Sequence, residues 1–153
     1  MNWTIDGLPL HPLLVHAAVV MLAVNGLALL GCIAVPRFRR WLGWGLPLLG
    51  VVTAATTWLT KTAGENFLGG RDPVGALADH THWGGWAGVV SIVLGVTTVA
   101  YWLVMSPRLG GRVSWLSATG TRIVASLLAA VAAIAALVVD FLAGHSGATS
   151  VWG

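Results

Sequence analysis

The chain has 153 residues, of which 57 % are hydrophobic and only 8 % are charged. An ordinary soluble domain carries about 25 % charged residues, so this composition excludes that class and predicts an integral membrane protein with one domain, residues 1–153. The formal net charge is +3, but the positions of the basic residues argue against a nucleic-acid partner. The single cysteine, Cys32, lies in an apolar run and can form no intramolecular disulfide, so it is expected to be a buried apolar side chain.

Four apolar runs, near 12–35, 42–62, 84–105 and 121–143, predict four transmembrane helices. Each has about 20 residues or more, which is enough to cross about 30 Å of hydrocarbon. The first run lacks a basic segment before it and is too long for the apolar part of a signal peptide. The sequence therefore predicts an all-α integral membrane protein that folds as a four-helix transmembrane bundle.

The first helix begins with the segment HPLLVH, residues 11–16. Pro12 suits the first turn of a helix, and His16 then lies about one turn inside, where an ionisable residue is by default a functional hypothesis. His11 and His16 are about 140° apart around a regular helix, so both cannot point at one bundle axis. His11 is expected at the helix mouth, as a cap, a surface residue or a ligand. Asn25 is expected to bond to a neighbouring helix.

The second and third helices carry stripes of small and hydroxyl residues. Thr53, Thr56, Thr57 and Thr60 share one face of the second helix, where they can join helices or bond a buried ligand. The stripe on the third helix consists of Gly84, Gly88, Ser91 and Gly95. Such a stripe lets another backbone, or a flat ligand, approach closely. We expect it to face the bundle interior.

Histidines also lie before the third helix and after the fourth. His80 and His82 end the loop that precedes the third helix, a loop in which a short interfacial helix near 74–82 is expected. The two histidines share a face only if their backbone is extended. Asp140 lies in the last turns of the fourth helix, which the glycines around His145 are expected to end. His145 could then fold back over a site. No internal repeat is evident.

The orientation follows from the arginines. The basic residues of the two connections on one side are Arg37, Arg39, Arg40, Arg108, Arg112 and Arg122. The positive-inside rule places these connections in the cytoplasm and both termini outside. All five histidines and all five acidic residues then fall on or near the outer face of a multi-pass protein of the cytoplasmic membrane.

Four segments carry a family resemblance: LHPLLVH at 10–16, TAGE at 62–65, the His-Trp-Gly entry at 82–84, and GHSGATSVWG at 144–153. With them the chain resembles the bacterial membrane-protein family catalogued as domain of unknown function 2231. The resemblance implies a four-helix bundle in the bacterial inner membrane, similar in outline to small b-type cytochromes. The family pattern has one histidine before the third helix, so it does not decide between His80 and His82.

The candidate site combines imidazoles and a carboxylate from different helix ends. His16 and Asp140 lie at similar depth, so Asp140 could fix the tautomer of His16 and leave one ring nitrogen for a metal, or the pair could only lock two helices. The expected metal ligands, from three segments, are His16, His82 and His145. The further candidates for cofactor binding are His11 and His80, with Asp140, Gly84 and Gly88 in support.

Three functions remain open. The first, and the favoured one, is a haem b protein that transfers electrons, with imidazole axial ligands; only Lys61 and Arg71 could meet haem propionates from the outer half. The second is a zinc or copper site. The third is a structural or accessory subunit of a larger membrane complex with no cofactor. No hydrolytic motif is present, so whether the protein is an enzyme stays open. The expected partners are the lipid bilayer and a redox partner or larger complex.

Overall fold

The computed structural model describes residues 3–107 and 113–152 of the chain, and nearly all of this part is helical. The elements in chain order are β1 (Thr4–Ile5), β2 (Leu8–Pro9), α1 (Leu10–Ala34), α2 (Pro36–Leu42), α3 (Gly45–Leu68), α4 (Ala76–Met105), α5 (Ser114–Ser117) and α6 (Thr119–Trp152). The expected all-α class is confirmed. The two short strands pair antiparallel around Asp6 and Gly7, whose positive φ angles suit a tight hairpin turn.

The four long helices form a bundle. Helix α1 packs beside α3 and α6, and α4 packs beside the same two helices, so α1 and α4 face each other diagonally. We call the end formed by the first turns of α1 and α4 and the last turns of α3 and α6 the histidine end. The opposite end carries α2 with its three arginines, and we call it the arginine end.

Length and composition bear on how the bundle sits in a membrane. Helices α1, α4 and α6 are each long and apolar enough to span a bilayer. Helices α2 and α3 pass the same test only together, with a bend of 74° between them, so three spans are counted, or four if that pair is one span. Large apolar side chains such as Leu27 on α1, Val131 on α6 and Phe141 on α6 face outward. This surface suits lipid, as expected for a membrane protein.

Polar side chains inside the bundle join helices, as the sequence predicts. Thr53 and Thr60 on α3 each donate a hydrogen bond to a backbone carbonyl of α1, at 3.2 and 3.4 Å. The hydroxyl of Thr98 on α4 donates to the Oδ1 atom of Asn25 on α1 at 3.4 Å, and both residues are fully buried. The expectation that Asn25 bonds to a neighbouring helix is confirmed.

The small-residue stripe of α4 lies against α3. Gly88, Ser91 and Gly95 are buried, and a Cβ atom added at Gly95 would lie 2.8 Å from the carbonyl oxygen of Gly50. The two backbones therefore touch, which only glycine allows. For Gly88, Ser91 and Gly95 this confirms that the stripe faces the bundle interior.

The arginine end gathers positive charge. Arg37, Arg39 and Arg40 lie in α2, and Arg122 lies in the first turn of α6. The predicted contributions of Arg108 and Arg112 lie outside the described residues. The guanidinium of Arg39 donates to the hydroxyl of Tyr101, which donates to the backbone carbonyl of Cys32, both at 3.0 Å. Cys32 is buried as expected.

Helix α3 continues to Leu68 instead of ending near residue 62, and two further helix bounds, both next to histidines, also differ from the sequence-based expectation. Helix α4 begins at Ala76 instead of near residue 84, because no residue between Gly75 and Gly84 breaks a helix. Helix α6 continues to Trp152 instead of ending near residue 143. Glycine weakens a helix by about 1 kcal/mol but does not stop it, and packing against α4 holds this last part in place. Both differences change which histidines meet.

Candidate functional site

Two histidines face each other across the bundle at the histidine end. His11 lies in the first turn of α1 and His80 in the second turn of α4, and these two helices are diagonal neighbours. Their ring centroids are 6.3 Å apart, and the ring planes are inclined by 60°. Both side chains are half-buried. The bundle therefore brings together an imidazole pair from two separate helices.

Each ring of this pair is held by a backbone carbonyl of the adjacent helix. The Nδ1–H group of His11 donates to the carbonyl oxygen of Thr60 on α3 at 3.0 Å. The Nδ1–H group of His80 donates to the carbonyl oxygen of Ala143 on α6 at 3.2 Å. Because a carbonyl only accepts hydrogen bonds, Nδ1 must carry the proton, and a neutral ring then has its lone pair at Nε2.

A glycine lies against each ring, four residues after the carbonyl that holds it. A Cβ atom added at Gly64 would lie 2.9 Å from both Cε1 and Nδ1 of His11. A Cβ atom added at Gly147 would lie 3.1 Å from the same two atoms of His80. Each ring thus occupies the volume that a larger residue would fill.

The site consists of two equivalent halves. We define the first half-site as His11 of α1 with Thr60 and Gly64 of α3, and the second half-site as His80 of α4 with Ala143 and Gly147 of α6. In both half-sites the glycine follows the accepting carbonyl by four residues, and it lies against the Nδ1 and Cε1 atoms of the ring. The sequence shows no internal repeat, yet the two helical hairpins build the same local arrangement.

A cavity of about 440 Å³ opens beside the pair. Its walls are mostly apolar, and its polar wall residues include His11, His80, Asp140 and Thr57. Asp140 is only 8 % exposed. The hydroxyl of Thr57 is buried and has no hydrogen-bond partner among the described residues. Thr57 lies about one turn before Thr60, and Asp140 lies about one turn before Ala143. The two polar side chains therefore occupy equivalent positions in the two half-sites.

His16 lines the cavity but does not pair with Asp140. Its side chain is exposed, and its Nδ1–H group donates to the carbonyl oxygen of Pro12 in its own helix at 3.3 Å. No hydrogen bond or ion pair joins His16 to Asp140, so the expected direct contact is not formed. His16 follows His11 by five positions, which turns it about 140° away from the axis.

His82 and His145, two of the three expected metal ligands, do not line the cavity. Both side chains are exposed. Because α4 is already helical at residue 80, His82 lies about 200° around the helix from His80. Because α6 continues through Gly144, His145 does not fold back, and its ring stacks on that of Phe141 at 6.0 Å.

The supporting glycines have different surroundings. Gly84 lines the cavity, and a Cβ atom added there would meet no described atom within 4 Å. Gly88 lies under the side chain of Lys61. The ammonium group of Lys61 pairs with Glu65 and lies 5.0 Å from the ring centroid of Trp58. Lys61 lines the cavity, whereas Arg71 does not.

Across the described part of the chain, no group of three or more His, Cys, Asp or Glu side chains is arranged to hold a metal ion. The expected ligand set of His16, His82 and His145 is therefore not assembled.

No protein-family model, curated protein or solved structure matches this chain. The fold and the site define a helical bundle with lipid-suited surfaces and an imidazole pair across its axis. The resemblance to domain of unknown function 2231 stays a prediction.

Proposed function

We propose that this protein binds haem b between His11 and His80 and transfers electrons in the membrane. The spacing of the pair carries the proposal. A metal–imidazole bond is about 2 Å long and the ring centroid lies roughly 1 Å behind the coordinating nitrogen, so two imidazoles that flank one iron have centroids about 6 Å apart. The observed separation is 6.3 Å.

The number of ligands supports haem over the zinc and copper alternatives. The macrocycle supplies four nitrogens, so haem iron needs only two ligands from the protein. A bare zinc or copper ion takes three or four protein ligands, and the described residues offer no group of that size. The donor set therefore fits haem.

The hydrogen bonds of the pair also support ligation. Metal-binding histidines almost always donate their second ring N–H to a carbonyl or carboxylate, which fixes the tautomer and raises the basicity of the ligating nitrogen. His11 and His80 both make this bond, to Thr60 and Ala143. Nε2 is the nitrogen left to bind iron in both rings.

The cavity supports the proposal by size and by charge. Its volume of about 440 Å³ lies in the range of about 300–1,000 Å³ that is typical of cofactor sites. Among the described wall residues, Lys61 supplies a cation that already pairs with Glu65 and could also meet a propionate. The buried carboxyl group of Asp140, when charged, favours the more positive oxidised iron and so lowers the reduction potential.

Two imidazole ligands imply electron transfer rather than chemistry at the iron. Haem held by His11 and His80 would supply reversible one-electron transfer, and the two imidazoles would leave the iron no free position for a substrate. A membrane or soluble redox partner, or a larger membrane complex, must then exchange the electron. The arginine clusters favour an orientation with the histidine end at the outer face of a bacterial inner membrane.

The absorption spectrum and the metal content of detergent-purified protein test the proposal. We expect a Soret band, sharpened α and β bands on reduction, and iron in proportion to haem. Stoichiometric zinc or copper without a Soret band would overturn it in favour of the non-haem alternative. Protein that takes up no haem on reconstitution and contains no metal would overturn it in favour of a structural subunit.

A further inference from the structure

We propose that Gly64 and Gly147 are positioning residues, one for each imidazole of the pair. The inference rests on the proposed function in so far as the positioned rings bind haem. Neither glycine supplies a ligand atom. Each glycine leaves a space into which one imidazole ring fits. The Nδ1–H group of that ring donates to a backbone carbonyl on the helix that carries the glycine.

A side chain at Gly64 would displace the ring of His11, and one at Gly147 would crowd the ring of His80. At Gly64 a methyl group would lie 2.9 Å from Cε1 and Nδ1 of His11, closer than carbon atoms approach in real structures. The ring would have to turn, and the bond from Nδ1–H to Thr60 would break. At Gly147 the corresponding separation is 3.1 Å, so the ring of His80 must also move, although by less.

The recurrence of the arrangement argues against accidental close packing. In both half-sites the glycine lies four residues after the accepting carbonyl, one helical turn along the same face. In both it lies against the same edge of the ring, the one that contains Nδ1 and Cε1. Two unrelated sequences, TKTAG and AGHSG, thus share only the carbonyl spacing and the final glycine.

Alanine variants test the inference, with Gly85→Ala as the matched control. Gly85 lies in α4 near the histidine end, does not line the cavity, and would meet no described atom within 4 Å. All three substitutions favour the helix, so lost helix propensity cannot explain a loss of binding. Loss of the partner that orients a ligating histidine costs about 10-fold to 100-fold in metal affinity. We expect this loss for Gly64→Ala, a smaller one for Gly147→Ala, and none for Gly85→Ala.

Ring nitrogen NMR of histidine-labelled protein without haem separates this inference from the haem proposal. We expect Gly64→Ala to change the Nδ1 and Nε2 signals of His11 alone, and Gly147→Ala those of His80 alone. This readout applies even if the wild-type protein binds no haem. Unchanged signals in both variants, or equal changes in Gly85→Ala, would overturn the inference.

A rescue variant covers the case in which Gly64→Ala does not fold. Removing the ring removes the clash, so Gly64→Ala combined with His11→Ala should recover the helicity and unfolding midpoint of His11→Ala alone. A double variant that remains unfolded would show that Gly64 serves the contact between α1 and α3 instead of the ring, and would overturn the inference.

Discussion

The contact between α3 and α4 predicts a large effect for Gly95→Val. The Cβ atom alone would lie 2.8 Å from the carbonyl oxygen of Gly50 and 3.1 Å from the Cβ atom of Ala54. Carbon–oxygen contacts between helices normally lie at about 3.3–3.6 Å. The two helices must therefore separate by roughly 0.5 Å before the two methyl groups of valine are accommodated.

The loss in the free energy of unfolding can be estimated from that separation of the helices. A gap of about 0.5 Å forfeits at least a quarter of the dispersion energy of the contacts it opens, and overpacking of a filled interior costs about 1–3 kcal/mol. Valine adds two atoms beyond the Cβ, which places it near the upper end of that range. The helix propensity gained over glycine is only a few tenths of a kcal/mol. We expect the free energy of unfolding to fall by about 2–3 kcal/mol.

Reversible unfolding of the detergent-solubilised protein by SDS, followed by circular dichroism, measures this change. Gly85→Val is the matched control, because it adds the same side chain to the same helix. A Cβ atom added at Gly85 would meet no described atom within 4 Å. It should change the free energy by no more than about 0.5 kcal/mol. Equal midpoints for Gly95→Val and the wild type would refute the close packing of α3 and α4.

Three further predictions concern other parts of the molecule. Tyr101→Phe should lower the free energy of unfolding by about 1–3 kcal/mol, because it removes two hydrogen bonds of a buried hydroxyl, one of them to an arginine; an unchanged SDS midpoint would contradict this. In intact cells, an impermeant thiol reagent should label Gly70→Cys and not Arg40→Cys; the reverse pattern would invert the proposed orientation. His82→Ala and His145→Ala should each retain the wild-type haem content, and loss of haem in either would return that residue to the ligand set.

The helical architecture could be predicted from the sequence because it depends on properties that the chain displays locally. Long apolar runs and the proline at Pro36 indicate the first helix and its end, and α1 spans Leu10–Ala34 as expected. The glycine stripe and Asn25 also have the expected environments, because small or polar residues on an apolar helix turn toward other helices.

The histidine pair could not be predicted because it depends on where helices begin and on their rotation. If the segment before residue 84 is extended, His80 and His82 point the same way; in a helix that begins at Ala76, only His80 faces α1. The start of α4, unlike the pair itself, carries a sequence signal: Gly75 and the acidic Asp79 in the next turn are typical of a helix start. That α1 and α4 lie diagonally opposite, and so bring their imidazoles together, follows only from the three-dimensional packing.

The electron paramagnetic resonance spectrum of the oxidised, haem-loaded protein tests the central claim most directly. Wild-type protein should show low-spin ferric iron with two imidazole ligands. His11→Ala and His80→Ala should each convert it to a high-spin form, whereas His16→Ala, in the same cavity and on the same helix as His11, should keep the low-spin signal. A low-spin bis-imidazole signal that survives His11→Ala, or one that is lost in His16→Ala, would contradict the assignment of His11 and His80 as the ligand pair.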